Sequence, residues 1–517
     1  MNGAQALVGT LVEAGVEVCF GNPGTSEMQV VAALDTVPGL RAVLALFEGV
    51  ATGAADGYGR MAGRPAAVLL HLGPGLANGL ANLHNARRAA TPIVAIVGDH
   101  AAEHKNYDAP LESDIDALVG WTHGWLRHST DPATVGHDAA VAVAAAQAAP
   151  GRLATLVLPA DVAWSEGAEP GVAVLPLPRP AVTASAVAAA REALSTGKPS
   201  VLLLGGAATR EPGLVAAARI AEATGARVLC ETFPARLERG AGLPPLDRLP
   251  YLAETAADEL AGAQQVVLAG ARAPVSFFAY PGRQGDLLPV GCGVHRLGAG
   301  DADVVGALRA LADELGAAAD PPRQPAHRPE LPTGPLTSAS FAAVVGALLP
   351  ERAIVVDEAN TAGRGLPAAT AGAPRHDWLT LTGGAIGQGL PVAVGAAVAC
   401  PDRPVLCLEA DGSAMYTISA LWTMAREQLD ITTIVLNNKA YAILQLEMWR
   451  VGVGRPGPKA ASQLDLGNPD LDFVALAAGM GVPGSRAATA EELAEALRRA
   501  LAEPGPHLIE AMVPPLG

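Results

Sequence analysis

Aromatic side chains are scarce in this chain: Phe, Trp and Tyr together make up 4% of its 517 residues. Its core must be filled mostly by Ala, Val and Leu, which suits helices packed closely on sheets in an α/β protein. Cysteine is scarcer still. Cys19, Cys230, Cys292, Cys400 and Cys407 are odd in number and form no CxxC pair. That excludes a disulfide framework and a zinc ribbon as first readings and leaves small buried hydrophobes. Positive charge is outweighed, and the formal net charge of −16 argues against nucleic acid or an anionic membrane surface as partner. No apolar run is long enough to cross a bilayer, and Ala-rich stretches such as 139–149 read as amphipathic helix. The opening MNGAQALVGTLVEAG has no cationic segment ahead of an apolar one, so no signal peptide is expected and the cytoplasm is the default. A nicotinamide-dependent dehydrogenase is excluded by the lack of a GxGxxG after a first strand, since Gly205-Gly206 is too weak a signal.

What is present divides into three blocks. Two Pro-rich stretches, Glu166–Ala184 and Ala319–Pro335, combine helix breakers with few large apolar residues, as linkers do. They predict an N-terminal domain over 1–165, a central α/β domain over 185–318 and a C-terminal domain over 336–517. Strands are expected near Val16–Phe20, Ala42–Leu46, Ala66–Leu70 and Pro92–Val97 in the first block. The second block supplies Ser200–Leu204, Arg227–Leu229 and Gln265–Ala269. The third supplies Ala353–Val356, Pro404–Leu408, Thr432–Leu436 and His507–Ala511. Helical periodicity between these runs predicts three doubly wound, mainly parallel sheets.

The third block carries the strongest pattern. The apolar run PVLCLEA ends in Asp411-Gly412, and Ser413 opens a stretch, Ala414–Gln428, that reads as helix. The β-branched run ITTIVL then leads into Asn437-Asn438. One βαβ unit with a right-handed crossover can bring Asp411 and Asn438 together beside a helix N-terminus. Two hard oxygen ligands there suit Mg²⁺, and free backbone N–H groups suit a phosphate. Asp-Gly alone also fits an ordinary turn, and Asn-Asn an ordinary strand end.

In the first block, CFGNPGTSE is a strand running into a turn that exposes Thr25 and Ser26. Glu48 stands between the strand-like AVLALF and a Gly/Ala-rich helical stretch. Partial desolvation at such a junction raises a carboxyl pKa and prepares it for proton exchange, while a first-turn glutamate can equally serve the helix dipole. The run AAVLLH ends at His71 and passes through a Gly-Pro-Gly turn into a helix that holds Asn78. His71 and Asn78 are thereby expected at the carboxyl edge of the sheet, where open α/β sheets bind ligands.

Taken together these motifs resemble the thiamine-diphosphate-dependent 2-oxo acid decarboxylase/acetolactate synthase superfamily over nearly the whole length. That family's cofactor signature runs from Gly-Asp-Gly to Asn-Asn, here Ala410-Asp411-Gly412-Ser413 through Asn437-Asn438, with Ala410 in place of the first glycine. The resemblance implies that Asp411, the Asn438 side chain and the Ala440 carbonyl ligate Mg²⁺, while Gly412, Ser413, Tyr416 and Tyr441 line the cofactor. The loop Thr382–Pro391 resembles the family's cofactor-bending loop, with Gly384 and the wedge Ile386, and Asn360-Thr361 would lie near the diphosphate. Glu48 matches the glutamate that hydrogen-bonds the aminopyrimidine and so promotes loss of the thiazolium C2 proton. Active sites shared between subunits of a homodimer or homotetramer are implied as well.

The closest likeness is to benzoylformate decarboxylase, through CFGNPGTSE, LLH at Leu69–His71, DGSAMYTISALW and LNNKAYAIL. It implies a 2-oxo acid substrate decarboxylated to an enamine, with Thr25, Ser26 and His71 around the reacting groups and His71 as an acid/base relay. A second histidine of that enzyme is missing, its place in GARAPVSFFAYPG being taken by Phe278. That favours an enamine held for carboligation. The Gly-Pro-Gly segment also resembles acetolactate synthases, which join two 2-oxo acids, but no motif for their FAD is found and FAD is not expected. Tyr441, Ile443, Leu444 and Phe278 are candidate pocket residues, each equally suited to plain core. A catalytically silent paralogue with a structural or regulatory role is the remaining alternative; the retention of Glu48, Asp411 and Asn438 together argues for an active enzyme.

Overall fold

A computed structural model of the chain describes residues 1–454 and 456–515. The first sheet holds β1 (Val18–Gly21), β2 (Arg41–Leu44), β3 (Ala66–Leu70), β4 (Ile93–Asp99), β5 (Trp125–His128) and β6 (Leu153–Pro159). All are parallel, in the order β2-β1-β3-β4-β6-β5. The middle of the chain adds β7 (Ser200–Leu204), β8 (Arg227–Cys230), β9 (Leu237–Arg239), β10 (Asp247–Arg248), β11 (Gln265–Ala269) and β12 (Gly293–Arg296). Five of these form a parallel sheet ordered β10-β8-β7-β11-β12. The sixth, β9, leaves it.

The last third supplies β13 (Ile354–Glu358), β14 (His376–Thr380), β15 (Val405–Ala410), β16 (Ile431–Asn437), β17 (Gly484–Ala487) and β18 (His507–Met512). The third sheet is ordered β17-β18-β16-β15-β13-β14-β9, and β9 is its one antiparallel member. The expected α/β class with three parallel-dominated sheets is therefore present. The strands read from apolar runs are there within a few residues of their expected ends. Runs such as VLCLEA and ITTIVL are buried on both faces, as a parallel sheet under helices requires.

Two local expectations are corrected. The stretch Ala414–Gln428 is not one helix: a short turn of helix over Asp411–Ala414 is followed by turns, and helix resumes only over Ala420–Arg426. Thr417 gives its hydroxyl to the Gly387 carbonyl at 2.9 Å, so the segment spends its polar group on the neighbouring loop. A β-branched Thr followed by Ile has little helix propensity to set against that. Likewise Gly73-Pro74-Gly75 forms no separate turn. Helix begins at Leu72 and runs to Ala89, with Pro74 in the first turn, where its missing N–H costs nothing.

The first and third sheets meet through two helices, Glu48–Ala62 and Gly389–Ala399. Glycines inside a helix cost roughly 1 kcal/mol each relative to Ala, yet the first of these helices reads EGVATGAADGYGRMA. The packing explains the composition. A Cβ at Gly57 would lie 2.1 Å from the Val392 carbonyl oxygen, and one at Gly395 would lie 1.8 Å from that of Ala54. Backbone meets backbone there, and nothing larger than hydrogen fits. The buried Arg60–Asp56 ion pair on the same helix extends the join, because Arg60 also donates to the Thr380 carbonyl, the Thr382 hydroxyl and the Gln388 amide oxygen. Among the described residues the fully buried aromatics are Trp378, Phe20, Phe341 and Phe473, so the interior is the aliphatic one that the composition demands.

Candidate active site

Two groups of polar side chains gather at the carboxyl ends of the outer sheets. In the first sheet, the chain leaves β1 through Asn22-Pro23-Gly24 and makes a single 3-10 turn over Thr25–Glu27. Glu27 is buried. Its Oε2 accepts the Gly24 N–H at 2.7 Å and faces His71 Nδ1 at 2.8 Å, while Oε1 accepts the Ser26 hydroxyl at 2.7 Å. Ser26 Oγ is also 3.2 Å from His71 Nδ1. Two glycines leave the space for this pair: a Cβ on Gly24 would lie 2.3 Å from the imidazole, and one on Gly98 would lie 1.7 Å from Glu27 Oε1. Leu72, directly after the histidine, is held in the left-handed region at φ +48°, a strain that such over-determined corners can carry. A carboxylate on Nδ1 sets the tautomer with that nitrogen protonated and leaves Nε2 to exchange a proton.

Glu48 is the first residue of its helix and is buried, and its Oε2 accepts the Asn78 amide at 3.0 Å. Glu48 and His71 flank the same point, since a Cβ on Gly75 would be 3.2 Å from Glu48 Oε1 and 3.3 Å from His71 Cβ. The structure therefore brings Glu48, His71, Ser26 and Asn78 to one edge. Thr25 is exposed and joins none of these hydrogen bonds. Glu27, which ties Ser26 to His71, escapes sequence reasoning; its only signal is an acidic residue directly after Thr25-Ser26.

In the third sheet β13, β15 and β16 lie side by side, so their ends converge. Asp411 follows β15 and is buried. Its Oδ1 accepts Gly412 N–H at 2.8 Å, and its Oδ2 accepts the N–H groups of Asn438 and Lys439 at 3.0 and 2.7 Å. Burial pushes the Asp411 carboxyl above its ordinary value against the pull of these amides. Asn438 turns its Oδ1 onto the Ala440 N–H at 3.0 Å. Asn360, at φ +49°, gives its amide to the Ser413 hydroxyl at 3.1 Å and so bridges the ends of β13 and β15. Thr361 is buried beside it. Gly412 packs against the Tyr441 ring, where a Cβ would be 2.4 Å from the ring edge. Ala410 has φ −83°, a conformation that any L-residue adopts, so its methyl fits where the signature carries glycine.

The loop before the Gly389–Ala399 helix joins the two edges. Asn85 exchanges hydrogen bonds with both the N–H and the carbonyl of Ala385, His84 faces the Gly383 carbonyl, and Asn82 donates to the carbonyls of Gly49 and Gly387. Ile386 is half-buried in this loop, and Gly384 is exposed at φ +76°. Among the described residues no hydrogen bond joins Glu48 or His71 to Asp411 or Asn438. Tyr416 is 58% exposed, Leu444 45% and Trp449 72%, while Phe278, on the loop after β11, is 59% exposed. Ile443 is half-buried next to Leu444. Two surface hollows, one beside Arg191 and Glu314 and one beside His327 and Arg375, lie away from all of these residues.

Residues 1–127 match the model for the N-terminal TPP binding domain of thiamine pyrophosphate enzymes, and residues 368–511 match that for the C-terminal TPP binding domain. The chain is 64% identical to a Mycobacterium tuberculosis protein named "Putative acetolactate synthase large subunit IlvX", over 100% of both. It is 32% identical to benzoylformate decarboxylase from Pseudomonas aeruginosa over 96% of each. The chain belongs to the thiamine pyrophosphate enzymes. A solved structure of the thiamine diphosphate-dependent 4-hydroxybenzoylformate decarboxylase of Rhodococcus jostii superimposes with a TM-score of 0.86 at 27% identity, covering 99% of both chains.

For a thiamine pyrophosphate enzyme, the donor set at the third-sheet edge is chemically apt. No group of three or more His, Cys, Asp or Glu side chains is arranged to hold a metal ion among the described residues. A cation here would therefore take one carboxylate, one amide oxygen and one carbonyl, and no donor among the described residues engages the Ala440 carbonyl. Such a sparse set of hard oxygens suits Mg²⁺, which fills its remaining positions with water and phosphate oxygens. Burial, which holds the Asp411 carboxyl above its ordinary value, is a cost that a bound cation would offset. No helix among the described residues is long and apolar enough to cross a membrane.

Proposed function

We propose that the protein is a thiamine-diphosphate- and Mg²⁺-dependent enzyme that decarboxylates a 2-oxo acid and then releases an aldehyde or joins the fragment to a second carbonyl compound. The observation that carries this reading is the convergence of Glu48 and His71 on Gly75, with Glu27 fixing the imidazole. When bound, thiamine diphosphate supplies the electron sink for loss of carbon dioxide. Glu48 holds or gives a proton at its Oε1, because Asn78 occupies Oε2. His71 moves a proton at Nε2 while Glu27 steadies the charge on the ring, and Ser26 orients polar groups of the substrate. Asp411, Asn438 and the Ala440 carbonyl hold the metal, and Asn360, Thr361, Gly412 and Ser413 hold the diphosphate. Ile386 and Gly384 shape the bend of the cofactor, with Tyr416 and Tyr441 beside it.

Carboligation of two 2-oxo acids in the acetolactate synthase manner is the second reading. It is favoured by Phe278, an apolar residue where the decarboxylase likeness calls for a second histidine, and by the name of the 64%-identical relative. In either case the exposed Tyr416, Leu444 and Trp449 support a homo-oligomer in which the Glu48 edge of one chain faces the Asp411 edge of another. Five free cysteines support a reducing, cytoplasmic setting.

The deciding experiment supplies the purified protein with thiamine diphosphate, Mg²⁺ and a panel of 2-oxo acids including pyruvate and benzoylformate, and measures carbon dioxide, aldehyde and 2-hydroxyketone together. Aldehyde equal to carbon dioxide establishes the decarboxylase; hydroxyketone or acetolactate in its place establishes the carboligase. Bound cofactor without carbon dioxide from any acid refutes both. Mixing Glu48→Gln chains with Asp411→Ala chains is expected to restore part of the activity, and no recovery refutes sites shared between chains.

A further inference from the structure

Beneath the loop Thr382–Gln388 lie two carboxylic acids that the proposed chemistry does not use. Glu358, the last residue of β13, and Glu409, the last but one of β15, are register partners on neighbouring strands. Both are buried, Glu409 completely. Glu358 Oε1 accepts the Gly387 N–H at 2.8 Å, and its Oε2 accepts the Gly389 N–H at 2.6 Å. Glu409 lies directly behind: a Cβ on Gly389 would come within 2.0 Å of its Oε2. Its Oε1 has no hydrogen-bond partner. Neither acid forms an ion pair within 4 Å among the described residues. Burying two acids without a cation is costly, and two apolar side chains would serve a merely structural purpose better.

What the pair does have is position. Gly389 opens an eleven-residue helix, whose first N–H groups and positive dipole end attract an anion. Glu358 already fills that end. We infer that Glu358 is a positioning residue: its carboxylate stands where an external anion would otherwise sit and fixes Gly387 and Gly389, within three residues of Ile386. Glu409 backs it by filling the space that Gly389 leaves open. The loop is thus held in its working shape before any cofactor arrives. The diphosphate, in turn, is left to the Asn360, Ser413 and Asp411 side of the site. The inference rests on the proposed function for the loop's purpose, but its first test does not need the cofactor.

That test is amide hydrogen exchange of the peptide spanning residues 382–390 in the cofactor-free, full-length protein, comparing wild type with Glu358→Gln and Glu358→Ala. The glutamine variant keeps the side-chain shape and one acceptor oxygen, so it remains informative if the alanine variant does not fold. Exchange about tenfold faster in Glu358→Gln, the effect of one lost buried hydrogen bond, is the expected result. Unchanged exchange overturns the inference, whatever the enzyme's reaction proves to be.

A second measurement separates positioning from general stability. Glu358→Gln is expected to weaken thiamine diphosphate binding in calorimetry by about tenfold and to slow exchange of the bound cofactor's C2 proton. Asp138→Asn, a change at a buried aspartate held by Ser129 and Arg127, alters neither. Equal behaviour of the two variants refutes the positioning role. Wild-type protein that binds no thiamine diphosphate refutes the proposed function and leaves the cofactor-free exchange result standing.

Discussion

The two sheet edges that make up the candidate site are built on opposite principles. At the first, the acids are held mainly by side chains: Glu27 by His71 and Ser26, and Glu48 by Asn78. At the third, the acids are paired almost wholly with backbone amides: Asp411 with residues 412, 438 and 439, and Glu358 with 387 and 389. Of these contacts the Glu27–His71 pair can pass a proton, because both of its partners ionise. Amide cradles cannot, but they hold a carboxylate fixed in place, as a metal ion and a diphosphate require. The difference teaches where to look for chemistry and where for binding.

The sharpest way to break that comparison is to exchange the two phenotypes. Glu48→Gln is expected to lower kcat by about 10²- to 10⁴-fold, the usual worth of a positioned acid or base, with thiamine diphosphate affinity nearly unchanged in calorimetry. Asp411→Ala is expected to abolish Mg²⁺-dependent cofactor binding itself. If Glu48→Gln loses binding and Asp411→Ala keeps it, the division of labour is wrong. Next in size is the join between the edges. Gly57→Ala forces a methyl against the Val392 carbonyl and should destabilise the fold by about 1–3 kcal/mol in urea titration. A change within 0.5 kcal/mol would show that the helices separate freely.

Within the first edge, Glu27→Gln keeps an acceptor for His71 but cannot balance a charged ring. It should lower kcat about tenfold and shift the acid limb of the pH–rate profile, leaving cofactor affinity alone. An unshifted profile would reduce Glu27 to a scaffold.

The smallest expected effect lies away from the site, at His376 on β14. Burial, reinforced by Arg239, holds this imidazole down at about 4 against an ordinary 6.5. The unfolded chain therefore binds a proton near pH 6.5 that the folded chain refuses until about pH 4. The stability owed to the neutral ring is complete above pH 6.5 and is lost as the pH falls through that window, by at most about 1.4 kcal/mol per pH unit. Chemical denaturation from pH 7 to 4.5 measures it, and His376→Phe should flatten the slope.

Much of this architecture is legible in the chain because buried parallel strands leave continuous apolar runs, and VLCLEA and AAVLL are such runs. The strands that escape reading are those that trade apolar burial for charge. HDWLT (β14) contains Asp377, which pairs with Arg236 and Arg403 from distant segments, and LER (β9) contains Glu238, whose Oε2 accepts the Glu211 N–H from well upstream. No local pattern shows such partners in advance. The same holds at the site. Asp411 and Asn438 stand at readable strand ends, but Glu27, Glu358 and Glu409 acquire meaning only from amides and rings brought to them across the fold. The broken stretch after Ala414 is a third case, since Thr417 answers to Gly387, thirty residues away in sequence.

The three-residue strand β9 is chemically modest, yet it decides how the chain can be recombined. It leaves the middle of the sequence to pair with β14 and closes one side of the third sheet. An excised C-terminal fragment, or a chimaera that takes its middle section from a relative, would present β14 with unpaired N–H and C=O groups. Exposed strand edges of that kind recruit other chains. The workable seams for cutting and grafting this protein therefore do not follow its Pro-rich linkers alone; Leu237–Arg239 has to travel with the sheet it completes.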